Sequence, residues 1–205
     1  MGKIIKIEPF NQELPSDFAD RLGIYYTQQV TASHKKVNGQ FFTPTPIARL
    51  MASFCDLTKT SIKMLDPGCG TAILSCALIE HLVEAHEMEN IDLVAYETDL
   101  ELIPYSKKVL DYLQAWLQHK GIHFNYILHN ADFVLENAIV LKENSVPSLF
   151  EETTIVDKNF DIIISNPPYF KLSKDDKRVL VSQALVSGQP NIYSFFMGIA
   201  AKLLS

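Results

Sequence analysis

LDPGCGTAIL, residues 65–74, joins an apolar run to a helical one through a turn built on glycine. Ile62–Leu65 (IKML) has the apolar pattern of a short buried strand. Ala72–Glu87 (AILSCALIEHLVEAHE) carries apolar residues at helical spacing. Between them, Gly68 and Gly70 let the chain turn tightly and bring its backbone close to a ligand. The first amides of the helix that follows point the same way. The unit is a strand, a glycine turn and a helix, with its ligand-facing end at the carboxyl tip of the strand.

The same rhythm continues outward. Ile91–Glu97 (IDLVAYE) is a strand, and Pro104–Gly121 a helix with proline in its first turn and glycine at its stop. Ile122–His129 and Phe160–Ser165 are strands, and Asn191–Leu204 is a helix opened by Pro190. Strands alternating with helices predict an α/β fold with a mostly parallel sheet covered on both faces. Upstream, helices are expected over about Ser16–Lys35 and after Pro46. Asp132–Lys158 reads as a short helical pattern followed by a surface excursion. With 205 residues and 47% hydrophobic content, the chain can build one domain with a full core.

The strand tips carry the chemistry. The spacing D-x-G-x-G, from Asp66 to Gly70, is one glycine short of a dinucleotide fingerprint and lacks the G-K-[ST] of a phosphate loop. Strand two ends on Glu97, an acidic side chain able to accept both hydroxyls of a ribose. These features describe a ligand with an adenosine and no pyrophosphate, as in S-adenosylmethionine. The fourth strand ends in Asn166-Pro167-Pro168-Tyr169. The prolines cannot continue a central strand and stiffen the loop. The Asn166 side-chain oxygen and the Pro167 carbonyl are two acceptors suited to an exocyclic amine, and Tyr169 offers a stacking face.

Together these stretches resemble the gamma-class N6-adenine DNA methyltransferases of restriction–modification systems. GQFFTPTPIARLM (39–51) resembles their N-terminal cofactor motif, which assigns Phe42, Thr43 and Pro44 to the cofactor. LDPGCGTAIL is similar to their glycine motif (Asp66, Gly68, Gly70). VAYETD is similar to their second-strand motif (Glu97, Thr98), and HNADFV to their third (Asp132, Phe133). NPPYF matches their catalytic motif. The resemblance implies a Rossmann-like S-adenosylmethionine-dependent fold: a helical extension over 1–38, then a catalytic domain over 39–205. It also implies further strands and a DNA-recognition domain beyond Ser205, or on another subunit. The implied chemistry is transfer of a methyl group to the N6 amine of an adenine flipped out of double-stranded DNA. A protein glutamine methyltransferase shares N-P-P-Y and is one rival reading. A non-catalytic cofactor-binding subunit is another.

Net charge is −6, so any basic surface for nucleic acid has to be local, or on another domain or chain. Lys171, Lys174, Lys177 and Arg178, just past the catalytic motif, are the candidates for phosphate, weighed equally against a solvated charge run. Three cysteines without CxxC spacing argue against a disulfide scaffold or a Cys-type zinc site and fit a reducing cytoplasm. His81 and His86 sit at i, i+5, on different helical faces, so no metal site is expected. No apolar run approaches the length of a membrane span.

Overall fold

The computed structural model describes residues 5–31, 34, 42–142, 159–182 and 190–205. Among the described residues, four strands form one sheet: β1 (Ser61–Asp66), β2 (Asn90–Tyr96), β3 (His123–His129) and β4 (Ile162–Ile163). Their order is β3-β2-β1-β4, and every pairing is parallel. Side chains alternate across the pleat, which gives the sheet two cores. Ile62, Met64, Ile91, Leu93, Ala95 and Phe124 face one of them. Leu65 and Val94 face the other.

The first core is covered by α1 (Pro15–Gln29), α2 (Thr45–Ala52), α3 (Ile73–Ala85) and α4 (Ile103–Gln118). In α1, Phe18, Leu22 and Tyr26 recur every four residues and are fully buried, so this N-terminal helix is part of the main core. α3 is buried on nearly every side from Ile73 to Leu82, as befits a helix sandwiched between sheet and helices. In α4, Pro104 stands in the first turn, and Gly121 just past its end takes φ +75°. The second core is covered by α5 (Phe133–Asn137), a 3-10 turn (Ala138–Lys142), α6 (Lys177–Val181) and α7 (Ile192–Leu203).

Two elements differ from the sequence reading. α1 ends at Gln29, where Val30 turns extended, short of the expected Lys35. β4 pairs over two residues, although Asp161 and Ile164 still donate to the Lys63 and Leu65 carbonyls. Phe160 instead bridges in parallel to Leu204, and Lys59 forms an ion pair with Asp161. The excursion over 143–158, and residues 39–41 of the N-terminal motif, lie outside the described residues.

Candidate active site

A cleft of about 300 Å³ opens at the carboxyl ends of β1, β2 and β4. Its floor is the glycine turn. Gly70 (φ +55°) and Ala72 (φ +65°) are both left-handed, which wraps the backbone around the cleft before α3 begins. Gly70 suits this conformation, whereas Ala72 is held in it by the fold, a modest strain beside the site. The turn is pinned from three sides. Ser106 Oγ donates to the Gly70 carbonyl at 2.6 Å, the Cys69 amide to Tyr96 O at 2.9 Å, and the Gly70 amide to Glu97 Oε2 at 3.1 Å.

Glu97 lines the cleft, and its other oxygen, Oε1, accepts from the Asp99 amide at 2.8 Å. Burial pushes its carboxyl above the ordinary range, against the Asp99 and Gly70 amides. Asp66, assigned by the resemblance to the cofactor, does not line the cleft. It is fully buried and accepts from Ser75 Oγ at 2.7 Å, while Oδ1 has no partner among the described residues. Burial pushes this carboxyl up to about 7. Asp66 therefore braces the turn from behind.

Asp132 and Phe133 reach the cleft from the start of α5. Asp132 Oδ1 caps that helix, accepting from the Val134 and Leu135 amides at 2.9 and 3.1 Å. Phe42 stands at the opposite wall, edge-on to Tyr26 at 6.0 Å between centroids. It approaches α1 so closely that a Cβ on Gly23 would come within 3.3 Å of its ring. Behind it, Tyr26 donates to Asp99 Oδ2, and His34 Nε2 lies 2.7 Å from the same oxygen. This knot ties α1 to the tip of β2, and no sequence pattern announced it.

Asn166 and Pro168 line the cleft past the end of β4. Asn166 Nδ2 donates to Thr43 Oγ1 at 3.0 Å, and Tyr169 Oη donates to Asn166 Oδ1 at 3.1 Å. Thr43 thus orients the amide from the N-terminal motif. The Tyr169 ring stacks on Tyr193 of α7 with centroids 5.7 Å apart and planes 17° apart, and it remains 59% exposed.

Lys171, Lys174 and Lys177 are exposed, which fits a phosphate-facing segment and a solvated charge run alike. Arg178 departs from them. Its side chain is 23% exposed and lines the cleft, because Asp176, two residues earlier, folds it inward. Among the described residues, no group of three or more His, Cys, Asp or Glu is placed to hold a metal ion. Nor is any helix among them long and apolar enough to cross a membrane.

The family profile described as N-6 DNA Methylase matches residues 19–184, which span the glycine turn, both acidic strand tips and N-P-P-Y. The chain belongs to the N-6 DNA methylase family. Its relatives include the type II methyltransferase M.AccI of Acinetobacter calcoaceticus, 25% identical over 84% of this chain and 27% of that protein. The methylase subunit of the type I restriction enzyme MjaIX of Methanocaldococcus jannaschii is 22% identical over 97% of this chain and 32% of its own length. Among solved structures, one described as a class I S-adenosylmethionine-dependent methyltransferase from Listeria monocytogenes superposes with a TM-score of 0.62 at 18% identity. It covers 95% of this chain and 52% of that one. A type I restriction–modification methyltransferase subunit from Streptococcus thermophilus gives 0.54 at 17% identity, over 94% and 38%. The fold is that of class I methyltransferases. The chain spans between 27% and 32% of the length of the curated relatives it matches.

Proposed function

We propose that the cleft binds S-adenosylmethionine and that the protein methylates the N6 amine of adenine in DNA, as the modification part of a restriction–modification system. The observation that carries this reading is one cleft with two chemically distinct parts. Glu97 and Asp132 line it past the ends of β2 and β3, and Asn166 of N-P-P-Y past the end of β4, with β1 between them in the sheet.

The residues fit the cofactor. Glu97, held by two backbone amides, offers acceptors for ribose hydroxyls. Asp132 Oδ2 remains available beyond the helix cap as an acceptor for the adenine amine. Gly68 and Phe196 line the same cleft beside them. When bound, the cofactor supplies an electrophilic methyl group on its sulfonium.

The protein's own part is to place and polarise the amine. A target adenine is stacked inside duplex DNA and has to be flipped out to reach Asn166. Tyr169 presents its exposed face to the base. The Asn166 oxygen and the Pro167 carbonyl accept the two amine hydrogens, which localises the nitrogen lone pair for in-line attack. The nitrogen becomes cationic as the new bond forms and loses its proton afterwards, so no strong base is required beforehand. Acceleration comes from positioning and from acceptor dipoles matched to developing charge. Sequence recognition and the main DNA grip belong elsewhere in the gene product or on a second subunit, in keeping with the net charge of −6.

Two measurements test this reading. Isothermal titration with S-adenosylmethionine should show binding to this chain, and none at high micromolar ligand would sink the cofactor assignment. In the full gene product, Asn166→Ala should abolish adenine methylation while leaving cofactor affinity nearly intact. Retained turnover would remove Asn166 from the mechanism.

A further inference from the structure

We propose that Arg178 reads the adenine of the cofactor as a hydrogen-bond donor to a ring nitrogen, acting beside Asp132, which accepts from the amine. This rests on the cofactor assignment above and assigns Arg178 to specificity for the cofactor rather than to DNA phosphate.

The side chain is aimed. Nε donates to Asp176 Oδ1 at 2.9 Å and Nη2 to Asp176 Oδ2 at 2.7 Å, a two-pronged clamp. Asp176 is itself fixed, because its Oδ1 also caps α6 by accepting the Arg178 amide at 2.9 Å. The guanidinium lies over the Phe170 ring, 5.5 Å from its centroid. Two of the three guanidinium nitrogens are thereby committed. The third, Nη1, faces Asp132 Oδ2 at 3.7 Å, beyond hydrogen-bond length. The other Asp132 oxygen is committed to the amides of α5.

Beside Asp132 the cleft therefore presents one cationic donor and one anionic acceptor side by side, an ion pair at 3.7 Å with no hydrogen bond between them. Adenine offers the complement along its edge. The exocyclic amine donates, and the ring nitrogen on either side of it, N1 or N7, accepts. Because the donor is charged and pre-aimed, the contact should contribute about tenfold to a hundredfold in affinity.

The test is a cycle between side chain and ligand, read by calorimetry with S-adenosylhomocysteine and its 1-deaza and 7-deaza analogues, in which carbon replaces one ring nitrogen. Arg178→Met should weaken S-adenosylhomocysteine by about tenfold or more. It should leave one of the two deaza analogues bound as tightly as by the unmodified chain. Asp176→Asn, which loosens the clamp while keeping a capping side chain, should show the same pattern at smaller size. Equal weakening of all three ligands would mean a structural role and overturn the proposal. Unchanged affinities would return Arg178 to the phosphate-facing segment and overturn it equally. An unmodified chain that bound none of the three would remove the cofactor assignment itself, and this inference with it.

Discussion

Asp66→Asn is the sharpest probe of how the glycine turn is held. Asp66 is fully buried, with one oxygen on Ser75 Oγ and the other unpartnered among the described residues. Burial raises its carboxyl from an ordinary 3.8 to about 7, so the fold prefers the protonated form. The sign follows from linkage. The stability this group contributes is complete below about pH 4 and is lost as pH rises through about 7. A gap of about three units, at about 1.4 kcal/mol each, sets a ceiling of about 4 kcal/mol. Asparagine mimics the protonated acid at every pH and can still accept from Ser75. The variant should match the parent near pH 4 and exceed its stability near pH 8 by up to that amount. Urea unfolding of both proteins from pH 4 to 8 measures the difference. Taking the difference cancels the other carboxyls that burial raises, Glu80 and Glu97. A stability difference that stayed constant across the range would refute the assignment of buried, preferentially protonated character to Asp66.

Three further outcomes are expected. Tyr169→Phe keeps the ring on Tyr193 and loses only the hydroxyl on Asn166, so turnover should fall by less than tenfold, whereas Tyr169→Ala should lose about tenfold to a hundredfold; equal losses would dismiss the stacking role. Glu80→Ala removes the carboxylate that accepts from the Ser16 amide at 2.6 Å and its hydroxyl at 2.7 Å, leaving buried donors at the start of α1, and should cost about 3 kcal/mol by chemical denaturation. A loss below about 1 kcal/mol would show that α1 is anchored otherwise. Replacing Lys171, Lys174 and Lys177 with glutamine should lower the salt slope of DNA binding by the full gene product by roughly one per lysine on phosphate. An unchanged slope would mark them as a solvated face.

The sheet and its helices were legible because burial imposes periodicity: β1, β2, α3 and α4 alternate with clear spacing and glycine or proline punctuation. The residues facing the cleft were legible where they stand at strand tips, as Glu97 and Asn166 do. What escaped was everything settled by distant partners. Ser106 reaches the Gly70 carbonyl across 36 residues of sequence, and Tyr26 reaches Asp99 across 73. Neither distance leaves a local pattern. Arg178 was read with its basic neighbours because a charge run implies an outward face. The nearby Asp176 makes it the exception, and a carboxylate two residues before an arginine at a helix start is a signal that could have been used. Thr43 was read as a cofactor residue, and only the folded chain brings its hydroxyl to Asn166.

Tyr169 is gripped at three points: Pro168 restricts the backbone before it, its hydroxyl rests on Asn166, and its ring lies on Tyr193. Freezing such a side chain on association ordinarily costs about 0.5–1.5 kcal/mol. Here that entropy is lost when the chain folds, before any base arrives. Under the proposed function, a flipped adenine would meet a ring already held, and Tyr193, in no catalytic motif, would be the residue through which the placement of α7 sets how firmly that ring is held.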